Sequence, residues 1–390
     1  MTNLSQEIEK NINSIMDDKA VDLLVICDPY NIQYATGIKI PSAHAQHDLI
    51  MLAVFSKKNK PIVVIPKCWE ASAVQSRYNA DLISYSILKS PDQSAMELLE
   101  RKIEGAKFIG TDIESVSLKL NKMIEALVTK LGAKNVACDD NFIARRSQKL
   151  QSEIYHLKSI AHKTDHAING YFHHLIADRS KSSMSVSENL RIHSLERDIE
   201  IEGYNACSRG VIGKSIAHIW AYAPSYGFAS SDFTEIGDPI IADAMNSERG
   251  YWSNSTRIAI MADEMSEEQN IAYEQLNSLR KLVCSKLKTG EKTGAVYQEI
   301  SEAAEKQNLS IVQNHSLGFS IGVSAMEAPF LSPGDDTVLT SDMILIIDGI
   351  ISHNDKLYRS RDTVLLTETG VEFLNWYKDW REPYFAMNTI

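Results

Sequence analysis

The chain has 390 residues, of which 44% are apolar, and carries a formal net charge of -11 at pH 7. Its length allows two domains with full cores, and the acidic balance argues against nucleic-acid binding, because clustered lysines and arginines bind phosphate backbones. The sequence shows no signal-peptide pattern and no apolar run approaching the roughly 20 residues that span a bilayer. The five cysteines lie far apart, which is typical of a reducing compartment. We therefore expect a cytoplasmic protein without nucleic-acid or membrane partners.

The first 145 residues alternate between helical and strand-like patterns. Apolar residues at helical spacing predict an amphipathic helix over residues 4–18. Strand-like runs follow at residues 22–27, 31–35, 49–55, 61–65, 81–85 and 107–110. Strands that alternate with helices predict an α/β sheet with helices packed on it.

The pattern changes at residue 144 to a long helical stretch that extends to residue 178, and we place the domain boundary between residues 145 and 146. Beyond this stretch we expect one further helix, a Gly-rich connection, a hairpin, two helices, and then strands and turns. The expected ranges are 186–199 for the helix, 203–213 for the connection, and 266–288 and 293–307 for the paired helices.

Residues 237–257, GDPIIADAMNSERGYWSNSTR, predict two strands joined by a turn. Asp243 lies inside the first, apolar strand. An isolated carboxylate there is costly to desolvate, so it needs a cation, a metal ion or several hydrogen-bond donors. Asn254 follows eleven residues later in the second strand, directly before Ser-Thr-Arg.

This arrangement resembles the creatinase, aminopeptidase P and methionine aminopeptidase family, in which an Asp within a strand is followed eleven residues later by a second Asp. Four other segments carry the resemblance: NIQYATG at 31–37, HSLGFSIG at 315–322 with Glu-Ala-Pro at 327–329, MILIIDGI at 343–350, and RDTVLLTETG at 361–370. The resemblance implies an α+β fold, with a pita-bread catalytic domain over residues 146–390. A smaller α/β creatinase-type amino-terminal domain precedes it over residues 1–145. The resemblance also implies a homodimer.

Metal-dependent members of this family bind their ions through Asp, Asp, His, Glu and Glu, but only two of the matching positions here are carboxylates. The matching residues are Asp243, Asn254, Phe319, Asp348 and Arg361. An amide binds a hard divalent ion weakly, a phenyl ring does not bind one, and an arginine adds a permanent positive charge. We therefore expect no dinuclear metal centre and no cofactor. Asn254 and Phe319 become candidates for contact with substrate instead.

Two carboxylates and one histidine are the main candidates for proton transfer. Asp243 and Asp348 can divide acid and base roles, or both can be ionised partners of Arg361 without chemistry. His315 is a candidate general base, acid or hydrogen-bond donor, or else a core histidine tied to a backbone carbonyl. Arg361 and Arg257 are candidates to orient a substrate carboxylate. Alternatively, Arg361 forms a buried salt bridge that replaces the lost metal ions.

The remaining candidates come from the same resemblance. Tyr226 stands where family members carry a histidine near the substrate, and it is a poorer base but a good hydrogen-bond donor. His218, upstream in the same region, is the candidate to replace that imidazole. Glu327 is a candidate substrate contact, with a solvated turn residue as the alternative. His44 and His47 lie in a loop that reaches the partner's active site in dimeric members, so they contact substrate there or are exposed loop histidines.

Three functions agree with these residues. The first is a metal-independent, creatinase-like enzyme that hydrolyses a C–N bond in a small polar or zwitterionic metabolite. The second is an Xaa-Pro peptidase that retains one metal ion on a reduced set of ligands. The third is a catalytically inactive family member that binds a ligand or a partner. The loss of metal ligands favours the first and third functions over the second.

Overall fold

A computed structural model describes residues 2–39, 49–76, 79–88, 90–175, 183–197, 200–209, 236–311, 316–376 and 382–385. The chain divides into two compact units, Met1–Arg146 and Ser147–Ile390. None of the described helices is long and apolar enough to cross a membrane. The expected histidine and tyrosine site residues His44, His47, His218, Tyr226 and His315 all lie outside the described residues.

The amino-terminal unit is built on a six-stranded sheet in the order β4-β3-β2-β1-β5-β6. Its elements are α1 (Thr2–Asp18), β1 (Leu23–Ile26), α2 (Pro29–Thr36), β2 (Leu52–Phe55), β3 (Ile62–Pro66), α3 (Glu70–Ser76), β4 (Asp81–Tyr85), α4 (Pro91–Ile103), β5 (Phe108–Thr111), α5 (Leu118–Lys130), β6 (Lys134–Ala137) and α6 (Asp139–Ser147). Within this sheet β2 runs antiparallel to both of its neighbours, and the remaining pairs are parallel. The carboxyl ends of β1, β3, β4, β5 and β6 therefore share one edge, and α4 and α5 pack their apolar residues on the sheet.

The strand expected over residues 31–35 is wrong, because this segment belongs to helix α2. The Asp28 side chain caps the helix by accepting a hydrogen bond from the Asn31 backbone N–H at 2.9 Å. Pro29 occupies the first turn, and Gly37 ends the helix at a φ of 72°. These three local signals outweigh the alternating apolar pattern between them.

The carboxyl-terminal unit carries a nine-stranded sheet with the main order β11-β10-β12-β13-β9-β8-β7, to which β14 adds beside β13 and β15 beside β9. Its elements are α7 (Gln151–Phe172), α8 (Ser183–Leu195), β7 (Glu200–Arg209), β8 (Pro239–Glu248), β9 (Tyr251–Ile260), α9 (Glu267–Lys286), α10 (Thr293–Lys306), β10 (Gly318–Ser320), β11 (Glu327–Phe330), β12 (Ile344–His353), β13 (Lys356–Thr367), β14 (Gly370–Phe373) and β15 (Tyr384–Phe385). The expected hairpin is confirmed as β8 and β9. The Gly-rich connection expected over 203–213 is instead strand β7 as far as residue 209.

Helices α7 to α10 cover the sheet with apolar residues. The core between α9, α10 and strands β12 and β13 is the larger, and a second core joins α7 and α8 to β8 and β9. Successive residues of a strand point to opposite faces of the sheet. One set of alternate residues in β8, β9, β12 and β13 therefore faces these helices, and the other set faces away from them.

Candidate functional site

Four charged side chains from three strands meet on the sheet face that points away from the helices. They are Asp243 in β8, Asp348 in β12, and Arg359 and Arg361 in β13. Asp348 lies opposite Arg361 in the β12–β13 ladder. Thr256 of β9 lies opposite both Asp243 and Arg361, so it connects the two halves of the cluster. None of the five residues is more than 2% exposed.

Both arginines contact the two carboxylates through hydrogen bonds or ion pairs. Arg359 forms a fork with Asp348, with Nε at 2.9 Å and Nη2 at 2.7 Å from its two oxygens. Arg361 Nε donates to Asp348 Oδ2 at 2.8 Å, and its Nη1 lies 3.3 Å from Asp243 Oδ1. Thr256 Oγ1 donates to Asp243 Oδ1 at 2.9 Å. The cluster thus holds two positive and two negative charges in contact.

Burial opposes the charge on Arg359, but Asp348 and Asp243 outweigh burial and raise the pKa of its guanidinium above the ordinary value. Forked arginine–carboxylate pairs are among the strongest hydrogen-bonded pairs in proteins, and their planar geometry fixes both partners. Asp348 accepts three hydrogen bonds from the two arginines, whereas Asp243 lies 3.3 Å from Arg361 Nη1 and 3.8 Å from Arg359 Nη1. Asp348 is therefore held by arginine more tightly than Asp243.

The guanidinium of Arg361 touches the other four positions that match the metal ligands of the family. Besides its contacts with the two aspartates, Nη1 lies 3.2 Å from Asn254 Oδ1. Its central carbon lies 5.5 Å from the centre of the Phe319 ring. Among the described residues, no group of three or more His, Cys, Asp or Glu side chains is arranged to hold a metal ion. A permanent cation in the middle and a phenyl ring at its side do not fit a divalent metal ion.

Two hydrogen-bond donors of this cluster have no partner among the described residues. They are Nη2 of Arg361 and Nδ2 of Asn254, and both side chains are fully buried. A buried donor without a partner costs about 1–3 kcal/mol. The two residues are already joined by the bond between Arg361 Nη1 and Asn254 Oδ1, so they place a charged and a neutral donor close together. The cluster is therefore suited to an acceptor oxygen.

Arg257 was expected to orient substrate, but its guanidinium lies on the opposite, helix-facing side of the sheet. It pairs with Asp165 of α7 at 3.1 Å and with Asp362 of β13 at 3.2 Å. It also donates to the backbone carbonyls of Thr256 at 2.9 Å and Arg361 at 2.5 Å. Arg257 therefore holds β9 against β13 directly behind the cluster, where Thr256 and Arg361 pair.

The ion pairs around Arg257 extend to α9, where Arg280 Nε donates to Asp362 Oδ2 at 2.7 Å. Burial alone raises the pKa of the Asp362 carboxyl, but the guanidinium groups of Arg280 and Arg257 outweigh burial and hold that pKa below its usual range. A lowered pKa contributes stability that is fully present above the ordinary value of 3.8 and is lost as the pH falls through the folded-state pKa.

The substitution Asp362→Asn is expected to lower the free energy of unfolding at pH 7 by about 1.5–3 kcal/mol, the usual worth of hydrogen bonds to charged groups. Asparagine does not ionise, so the variant also lacks the contribution that Asp362 loses in the parent as the pH falls below 3.8. The free energy of unfolding of the variant is therefore expected to change less with pH in this range. Urea unfolding at several pH values measures both effects. Glu299→Gln is the control, because Glu299 is 57% exposed in its pair with Lys286. If the free energy of unfolding of Asp362→Asn falls with pH in acid as steeply as that of the parent, the Asp362 carboxyl does not make the stabilising contribution assigned to it.

Glu327, a further expected substrate contact, forms an ion pair with Lys149 at 2.7 Å. Both side chains are buried, at 8% and 1% exposure, so the solvated-turn alternative does not describe Glu327. Gly322 lies against this pair, and a Cβ atom there would come within 2.5 Å of Glu327 Oε1. A larger residue at this position would therefore displace the Glu327 carboxylate from its present position.

Sequence reasoning missed Arg359, which makes the strongest contacts with Asp348. The signal was present, because Arg359 and Arg361 are two residues apart on a strand and must share a face. It was overlooked because only Arg361 falls on a position that matches a metal ligand. The pairing of Arg359 with Asp348 depends on the register between β12 and β13.

Comparison with known families matches both units of the chain. Residues 159–368 match metallopeptidase family M24, and residues 10–146 match the creatinase/prolidase N-terminal domain. The chain belongs to metallopeptidase family M24. The predicted fold, a creatinase-type α/β domain followed by a pita-bread domain, is confirmed. Family membership also places the chain among hydrolases of C–N bonds.

Two relatives of the chain are dipeptidases by name. An Xaa-Pro dipeptidase from Pyrococcus horikoshii is 23% identical over 373 residues, covering 94% of this chain and 96% of that protein. One from Lactobacillus delbrueckii is 22% identical over 370 residues, covering 91% and 93%. The resemblance to the family was correct, but these relatives are not the metal-independent creatinases to which the chain was expected to be closest in character.

Solved structures of the same fold cover nearly all of the chain. The prolidase from Pyrococcus horikoshii superposes with a TM-score of 0.73 at 21% identity, over 96% of this chain and all of that one. The N-terminal domain of the FACT complex subunit SPT16 from chickpea gives a TM-score of 0.69 at 17% identity, over 96% of each chain. At these identities the likeness establishes the fold alone.

Proposed function

We propose that this M24-family protein is a metal-independent hydrolase that acts on a C–N bond of a small polar or zwitterionic metabolite. The observation that carries the proposal is the position of the Arg361 guanidinium, which contacts Asp243, Asn254, Phe319 and Asp348. The organic cation is held there by the same carboxylates that would otherwise bind a metal ion. Membership of the M24 family supports hydrolysis of a C–N bond.

The buried donors Arg361 Nη2 and Asn254 Nδ2 support the chemistry. When an amide or amidine carbon is attacked, the atom doubly bonded to it gains electron density, and preorganised donors stabilise that charge. A guanidinium N–H and an amide N–H side by side suit a substrate carbonyl oxygen in this role. Phe319 provides an apolar wall beside them, which strengthens such interactions by excluding water.

Proton transfer in this proposal falls to groups other than the two aspartates, since both are occupied by arginines. His315, Tyr226 and His218 are the predicted candidates. Asp243 and Asp348 are positioning residues that fix the orientation of Arg359 and Arg361. A hydrolase of this design is expected to be insensitive to chelators.

A second candidate function is Xaa-Pro dipeptidase activity that depends on a metal ion, which the names of the relatives favour. The set of donors on this chain disfavours it, because Asp243 and Asp348 are the only carboxylates among the five matched positions. A third candidate is binding without turnover, favoured by the contacts of both carboxylates with arginine. One experiment separates the three.

The test uses full-length protein purified without added metal, and its metal content is measured by elemental analysis. Xaa-Pro dipeptides, guanidino and amidine compounds and N-acyl amino acids are screened by thermal shift, then by mass spectrometry for turnover with and without a chelator. We expect substoichiometric metal and chelator-insensitive cleavage of at least one compound. Stoichiometric manganese, iron, cobalt or zinc with activity lost on chelation contradicts the proposal in favour of the dipeptidase. A compound that stabilises the protein but is never converted favours the binding role.

A further inference from the structure

A cavity of about 240 Å³ opens in the amino-terminal unit, away from the residues considered so far. Its lining includes Cys27 directly after β1, Trp69 shortly after β3, and residues 115–117 between β5 and α5. All three segments follow the carboxyl ends of parallel strands. The cavity therefore lies at one edge of the six-stranded sheet.

This edge position coincides with the point where the strand order reverses. The chain leaves β1 through α2 toward β2 on one side, and it leaves β5 through α5 toward β6 on the other. Strands β1 and β5 are parallel neighbours, so their diverging connections leave a crevice between them. In open α/β sheets such crevices at the carboxyl ends of the strands are the usual places for small ligands.

The cavity has an apolar interior with few polar groups. Its apolar lining comprises Ile32, Ile50, Met51, Trp69, Val116, Leu120 and Met123. A mainly apolar wall with a small number of polar groups on one side is typical of small-molecule sites, and sites for drug-sized ligands occupy about 300–1,000 Å³. The present cavity is smaller, so it suits a compact metabolite. The Trp69 side chain offers a flat surface for an apolar or aromatic group.

An ion pair between Lys119 and Asp92 lies among the lining residues. Lys119 is 64% exposed and Asp92 is 22% exposed, so the pair sits toward solvent. Exposed pairs of this kind contribute only about 0–1 kcal/mol. A ligand that carries both charges can therefore replace the direct contact at little cost, with its own carboxylate on Lys119 and its own ammonium on Asp92.

The amino terminus of α5 strengthens the expected contact between the ligand carboxylate and Lys119. Lys119 is the second residue of α5, whose amino terminus is capped by Ser117. The amino-terminal end of a helix carries a partial positive charge, which disfavours a lysine there but favours a carboxylate that approaches both. A carboxylate placed at Lys119 thus meets the helix end and the ammonium group together.

We propose that this cavity binds a free amino acid with an apolar side chain, as the zwitterion. Its carboxylate lies at Lys119 and the amino terminus of α5, its ammonium group at Asp92, and its side chain in the apolar cavity beside Trp69. The proposal concerns a site separate from the Arg361 cluster and does not depend on the proposed function.

Calorimetry on the full-length protein with L-phenylalanine and L-leucine tests the ligand class. Three probes each lack one feature: L-phenylalaninamide lacks the carboxylate, N-acetyl-L-phenylalanine lacks the ammonium group, and glycine lacks the side chain. Each is expected to bind about tenfold or more weaker than the better of the two amino acids. The first two probes lose a hydrogen-bonded charged group, and glycine loses the apolar side chain that the cavity buries. Hydrogen exchange with L-phenylalanine is expected to slow in residues 113–123. No binding of either amino acid at millimolar concentration overturns the proposal.

Variants locate the site. Lys119→Gln, Asp92→Asn and Trp69→Ala are each expected to weaken binding of L-phenylalanine about tenfold or more. Lys130→Gln is the matched control, because Lys130 lies in the same helix and forms an exposed pair with Glu100. The two charge substitutions are on the surface, so they remain informative if Trp69→Ala does not fold. Binding unchanged in both charge variants, or protection confined to the carboxyl-terminal unit, overturns the proposal.

Discussion

Replacement of Arg361 by methionine is expected to lower the free energy of unfolding of the carboxyl-terminal unit by about 3–5 kcal/mol. Methionine fills much of the same volume, but it removes the guanidinium that lies 3.3 Å from the fully buried Asp243. Asp243 keeps its hydrogen bond from Thr256 and the Arg359 Nη1 atom at 3.8 Å, and Asp348 keeps its fork with Arg359. The cost therefore comes mainly from the weaker compensation of one buried carboxylate. Urea unfolding followed by tryptophan fluorescence and circular dichroism measures it.

Two further variants show whether the loss arises from the charge. Arg361→Met combined with Asp243→Asn removes the cation together with the carboxylate that has lost its nearer counter-charge, so it is expected to recover a large part of the stability. Lys292→Met is the control for loss of a positive charge, because Lys292 is 57% exposed in its pair with Asp336. A loss of less than about 1 kcal/mol in Arg361→Met, within the range of an exposed ion pair, is incompatible with the central role assigned to this guanidinium.

Much of the fold was predictable because its signals are local. In the sequence, Asn-Ser-Glu-Arg-Gly between two strand-like runs marks the turn around Arg249 and Gly250, both of which have positive φ. This signal was sufficient to predict the hairpin. Helix α9 begins where Ser266 and Gln269 form a capping box, at the start of the range 266–288 predicted for it. The error at α2 arose where the Asp28 cap and Pro29 competed with an apolar alternation. There the cap determined the structure.

The site was only partly predictable, because its chemistry depends on which strands become neighbours. The spacing between Asp243 and Asn254 is contained within one hairpin, so the sequence could place them together. Arg257 lies three residues after Asn254 on one strand, so alternation alone assigns it to the opposite face. Its contact with the Arg361 carbonyl depends on the pairing of β9 with β13, which brings Thr256 beside Arg361. The partner of Arg257 on α7, Asp165, lies 92 residues away in the chain. Such distant contacts leave no local pattern.

The site can be tested by restoring negative charge where the family resemblance places metal ligands. Arg361→Glu combined with Asn254→Asp adds two carboxylates beside Asp243 and Asp348. Without metal this variant is expected to be less stable than Arg361→Met, because like charges are then buried together. Clustered carboxylate oxygens are the ligands that hard divalent cations prefer. The variant is therefore expected to gain stability from Mn²⁺, by about 2.7 kcal/mol at a concentration 100 times the Kd.

The parent provides the decisive comparison, since its unfolding transition should be the same with Mn²⁺ and with EDTA. Lys292→Glu reverses a charge at an exposed position and should likewise be insensitive to the metal. If Mn²⁺ stabilises the parent and Asp243→Asn abolishes that stabilisation, a metal ion already competes with Arg361 for the aspartates. If Mn²⁺ does not stabilise the double variant, the Arg361 guanidinium does not occupy the position of a metal ion. A response confined to the double variant means that the residues at positions 361 and 254 separate this chain from a metal-binding state, since Asp243 and Asp348 are unchanged in it.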